Sequence, residues 1–68
     1  MSVARVTEII SSSPESFEDA TRKGLKRASK TLKNVRGAWL EGQKVECDPN
    51  GHIKEYRVIL KVTFVLED

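Results

Sequence analysis

An α+β fold, with a three-stranded antiparallel sheet wrapped around one helix, is predicted by three features of the chain. Residues 52–68 alternate apolar and polar side chains for longer than any other run. Between Pro14 and Lys33 the apolar residues instead recur at three- and four-residue steps, the period of a half-buried helix. Asp48-Pro49-Asn50-Gly51 then separates two alternating runs with residue types that suit a hairpin.

Taken in order, Val3 to Ile10 is short and rich in β-branched residues, and Ser11, Ser12 and Ser13 close it, so it reads as a strand followed by a turn. Ser13 and Pro14 predict the helix start, the serine as cap and the proline at a position whose N–H has no intrahelical partner. Glu15, Glu18 and Asp19 follow where the positive helix end favours them, and Lys30 and Lys33 lie near the opposite end. Phe17, Ala20, Gly24, Leu25, Ala28, Leu32 and Val35 form the buried stripe. Gly24 in mid-helix costs about 1 kcal/mol against Ala, which predicts a close approach to the sheet or to a second helix. Asn34 to Gly37 breaks the helix, Ala38 to Cys47 forms the second strand, and His52 to Asp68 the third.

The third strand sets the problem that the rest must solve. Tyr56, Val58, Leu60, Val62, Phe64 and Leu66 share one face and need a helix over them. The other face still carries Ile59 and Val65 among Arg57, Lys61, Thr63 and Glu67, and nothing else in the chain is left to cover them. With 68 residues there is room for one domain, expected over 1–68, and a domain of that size usually needs disulfides, a metal or self-association. Cys47 and His52 are each alone, which excludes an intrachain disulfide and a zinc cluster. Self-association remains. A net charge of +2 is small, and no run approaches the roughly 20 apolar residues of a membrane span, nor is there a leader pattern. The expectation is a soluble cytoplasmic protein with no membrane partner.

With Ala38 and Leu40 facing the helix, strict alternation places Trp39, Glu41, Gln43 and Val45 on the uncovered face beside Arg57, Ile59, Lys61 and Val65. Trp39 is read as a stacking plate for a planar ligand or, as is commoner for such aromatics, as filling at a subunit contact. Arg57 is read as an anion contact or, preferably, as pairing with Glu41 or Glu55 of a neighbouring copy. Arg22, Lys23, Lys26, Arg27, Lys30 and Lys33 form the solvated face of the helix, with no interleaved aromatic to read bases, so nucleic acid is not expected. Asp48 and Asn50 supply too few oxygens for calcium and suit the turn. Glu8, Glu41, Glu46 and Glu55 have no base, nucleophile or oxyanion donors with them, so no catalytic residue and no metal ligand is assigned and the protein is not expected to be an enzyme.

Val6-Thr7-Glu8-Ile9-Ile10 leading into Ser12-Ser13-Pro14-Glu15, the helical run Leu25 to Asn34, and Tyr56-Arg57-Val58 followed by Lys61 to Glu67 resemble the dodecin family over almost the whole chain. The resemblance implies a β-α-β-β protomer, a hollow homo-dodecamer, and storage of flavin, riboflavin or FMN, without turnover. In that pattern pairs of isoalloxazine rings stack between tryptophans, and a glutamine on the last strand bonds the ring edge. Two positions depart from it. Counted from Asn34, the stacking tryptophan falls at Gly37, while Trp39 lies two residues, about 6.6 Å, further along the strand. The glutamine position holds Arg57, which has five donors and no acceptor. A flavin-independent subgroup, the calcium dodecins, similarly lacks the stacking tryptophan and carries Tyr-Arg on the last strand.

The expected function is therefore a non-enzymatic dodecameric small-ligand store with flavin as the family ligand. The alternative is a flavin-independent shell with a structural or calcium-linked role. Trp39, Arg57, Gly37, Gln43 and Val45 are the candidate ligand-binding residues.

Overall fold

The structure, a computed structural model, describes residues 3–66. The expected end of the third strand, at Glu67 and Asp68, lies outside them. Four elements follow in the order expected: β1 (Ala4–Ser13), α1 (Phe17–Thr31), β2 (Val35–Cys47) and β3 (Ile53–Val65). The sheet is antiparallel throughout with β3 in the centre, in the order β1-β3-β2.

β1 runs on through all three serines, because Ser11, Ser12 and Ser13 pair with Val58, Arg57 and Tyr56 of β3. Ser13 is consequently not the helix cap. Its buried hydroxyl accepts from the Glu15 N–H and donates to the Asp19 carboxylate, while Ser16 caps the helix by accepting from the Asp19 N–H at 2.9 Å. Pro14 lies in the connecting turn rather than in the first helical position. At the other end Leu32 N–H reaches the Ala28 carbonyl, and Asn34 turns the chain with φ of 60°, a conformation its short polar side chain tolerates. The Asn34 carbonyl accepts from Val65 N–H, so the helix exit is tied to the end of β3 and β2 starts at Val35, three residues earlier than alternation alone suggests.

The core lies between α1 and the centre of the sheet. Ala20 and Ala28 meet Val58, Leu60 and Val62, with Ile9, Phe17, Leu25, Leu32 and Val35 packed around them. Phe17 meets Tyr56 edge to face with ring centres 5.1 Å apart. Gly24 makes the expected close approach. A Cβ there would lie 2.9 Å from Ser11 Cβ and 3.0 Å from Leu60 Cδ1.

The helix does not reach across the whole sheet. Leu40 and Val45 of β2 remain exposed although they lie on its side, and so does Ile53 at the start of β3. The molecule is 52 Å long, and the 13-residue strands of the β2–β3 hairpin outrun a helix of 15 residues at 1.5 Å each. Its turn is self-contained: the Asp48 carboxylate accepts from the N–H groups of Asn50 and His52, and Gly51 takes φ of 83°.

Candidate functional site

β2 departs from regular alternation at Arg36 and Glu41, where an extra residue bulges out of the ladder, and near the hairpin turn the extra residue is Lys54 of β3, since Glu46 pairs with Glu55 and Cys47 with Ile53. Each inserted residue swaps the faces of everything beyond it. Past Glu41, Gly42, Lys44 and Glu46 therefore lie opposite Ile59, Arg57 and Glu55 on the face away from α1. Gln43 and Val45 lie opposite Val58 and Tyr56, on the helix side. This corrects the expected facing of Gln43 and Val45. The strand-interior glycine at 42 was the available sequence signal, since such glycines often mark bulges.

The outer face is best read as rows across β1, β3 and β2. Val6, Thr63 and Gly37 form one row, and Glu8, Lys61 and Trp39 the next. Ile10, Ile59 and Gly42 follow, then Ser12, Arg57 and Lys44. Ile10 and Trp39, in adjacent rows on opposite edge strands, are 66% and 61% exposed, with half-buried Ile59 between Ile10 and Gly42, so apolar surface lies bare on this face of the single chain.

Three ion pairs form within the chain around this face. Arg57 lies 3.5 Å from Glu55, Lys44 3.2 Å from Glu46, and Lys61 3.4 Å from Glu41. Within the chain Arg57 has the Glu55 of its own strand as partner. The hydrogen bond and charge of Lys44, with lesser help from Arg57 and Lys54, hold the Glu46 carboxyl below the ordinary carboxylate range.

Of the five candidate residues, Arg57 and Gln43 border a concavity of about 280 Å³ floored by Ile10, Gly42 and Ile59 and edged by Lys44. Trp39 and Gly37 share the outer face one and two rows beyond it, and Val45 lies on the other side of the sheet. A Cβ at Gly37 would meet nothing within 4 Å, so the position is open space that a side chain could fill. Among the described residues no three His, Cys, Asp or Glu side chains gather as a metal site, and the Asp48 carboxylate is taken up by its turn. Calcium takes six to eight oxygens, and the described residues of one chain gather no such carboxylate cluster. Nor is any helix of the described residues long and apolar enough to cross a membrane.

One helix on one face of a three-stranded antiparallel sheet, in the order β-α-β-β, defines a class of small α+β proteins. The chain belongs to the dodecin family, whose model matches residues 3–67. It is 38% identical over 64 residues to the calcium dodecin of Mycobacterium tuberculosis, covering 94% of this chain and 89% of that one. The fold superposes on the dodecin of Streptomyces davaonensis with a TM-score of 0.92 at 34% identity, over 98% of this chain and 97% of the other. A crystal structure of the M. tuberculosis calcium dodecin, described as a calcium-chelating antigen with a novel calcium-binding site, gives 0.82 at 34% identity over 96% and 91%.

Proposed function

We propose that this protein is a non-enzymatic cytoplasmic shell of twelve copies, closed over the outer sheet face, that does not grip flavin in the family's usual manner. The observation that carries the reading is the pair of departures on that face. Gly37 leaves open space where the family pattern calls for a stacking indole, and Arg57 is occupied by Glu55 where the pattern calls for an amide. Exposed Ile10 and Trp39, with half-buried Ile59 beside Ile10, support assembly, because a chain of this size has a small core and much apolar surface to cover. The likeness to a calcium dodecin supports a cation-linked role. Such a site would have to draw its oxygens from more than one copy.

Light scattering should give about 92 kDa for twelve copies of the 7.7 kDa chain. Riboflavin or FMN titrated into the assembled protein should keep its emission at micromolar concentration, and Gly37→Trp with Arg57→Gln should create quenching. Quenching by the unaltered protein near one equivalent per chain or pair would instead establish the second reading, a flavin store. That reading is favoured by the exposed indole of Trp39 on the same face, with Gln43 and Arg57 bordering the neighbouring concavity.

A further inference from the structure

A second concavity, of about 450 Å³, lies away from the outer face, between α1 and the free edge of β1. Its volume falls within the range of small-molecule sites, roughly 300–1,000 Å³. Ile9, Gly24, Ala28 and Leu32 give it an apolar floor, and Lys23 and Arg27, one helical turn apart, stand along its rim. The small residues at 24 and 28 on one side of this stripe let the helix backbone come down onto the sheet, while the long alkyl stems at 23 and 27 raise a wall whose charged ends reach water.

The two cations differ. Lys23 is held by Asp19 at 3.0 Å, and Glu18 is engaged by Arg22 at 2.7 Å. These are the acidic residues of the helix's first turn, and Arg27 has no carboxylate partner among the described residues. A guanidinium without a counter-ion over an apolar floor is complementary to a ligand with an apolar body and one anionic end.

A second copy is the competing occupant, and charge argues against its free edge strands filling the groove. On their helix-side faces the two free-edge strands offer Arg5, Thr7, Ile9, Ser11 and Ser13 from β1, and Val35, Ala38, Leu40, Gln43 and Val45 from β2. Neither set contains a carboxylate, and Arg5 would bring a like charge towards Lys23 and Arg27. We propose that this groove binds a free amphipathic anion, a medium-length acyl chain or flat apolar body bearing a carboxylate or sulfate, with the anionic end on Arg27.

The test is calorimetric titration of sodium decanoate into the assembled protein, with decanol as the uncharged control. Decanoate should bind more tightly than decanol. Arg27→Gln, an exposed change that leaves the core intact, should weaken decanoate about three- to fivefold, the scale of one half-exposed charge contact, and leave decanol unchanged. Thr7→Phe, which fills the groove from β1, should weaken both. Trp39, on the far edge strand and the opposite face, should keep its emission unchanged throughout.

Several results would overturn the proposal. They are decanoate binding indifferent to Arg27→Gln, a Trp39 emission change that tracks saturation, and loss of assembly on saturation, which would mean that a neighbouring copy occupies the groove. Failure to bind at about 1 mM would also do so, as would recruitment to anionic vesicles without binding of free decanoate.

Discussion

The two faces of the sheet are built from the same strands and solve burial in different ways. Towards α1, Val58, Leu60 and Val62 are wholly buried by two alanines, a glycine and a ring of larger residues, all from the same chain. On the other side Ile10 and Trp39 lie open to solvent, and the charged residues pair along or across the strands without covering them. Central position in a sheet therefore does not decide burial. What decides it is whether the chain owns a second layer for that face, and this chain owns one helix.

The strongest way to break the contrast is to make the bare face permanently polar. Ile59→Asp sets a carboxylate in the apolar row between Ile10 and Gly42, and the expected outcome is loss of the roughly 92 kDa species in light scattering, since an unpaired charge in a dry contact is among the costliest changes available. Unchanged mass would show that the face stays wet. Its neighbour one residue on tests the other face: Leu60→Ala should lower unfolding free energy by about 2–5 kcal/mol in denaturant titration, because it opens a cavity in a fully packed site.

Gly24→Ala sharpens the helix side. Helix propensity favours alanine by about 1 kcal/mol, yet the new methyl would lie 2.9 Å from Ser11 Cβ and 3.0 Å from Leu60 Cδ1, so net destabilisation of about 1–3 kcal/mol is expected. Adding Ser11→Gly should recover part of it, and a double-mutant cycle measures the coupling.

The smallest effect concerns acid. The Ser13 hydroxyl, and then Lys23, hold the Asp19 carboxyl below its ordinary 3.8 in the folded chain. A lowered folded value means that the stabilisation is fully present above the unfolded value and fades as pH falls through the lowered one. Asp19→Asn should therefore flatten the stability profile below about pH 4, read by thermal melting across pH.

Element order, the core row of β3 and the close approach at Gly24 were legible in the sequence, because each follows from periodicity or from one residue's conformational cost. Three details were not. Ser13 looks like a cap because its local sequence suits one, and only the long pairing of β1 with β3 assigns it to a strand. The end of α1 depends on Asn34 bonding to Val65, a contact across 31 positions. The facing of Gln43 and Val45 turned on one inserted residue at Glu41, which alternation cannot see and which Gly42 only hints at. The candidate site was harder to read than the fold for that reason, since it lies on the strand that carries the irregularities.

The long β2–β3 hairpin, with its 13-residue strands, leaves the protomer with a consequence for its life before assembly. A single chain displays two unguarded strand edges, on β1 and β2, and under the proposed assembly it would finish maturing only on meeting others. Its refolding yield should be a matter of encounter frequency, climbing as the solution is made more concentrated until promiscuous edge pairing begins to compete.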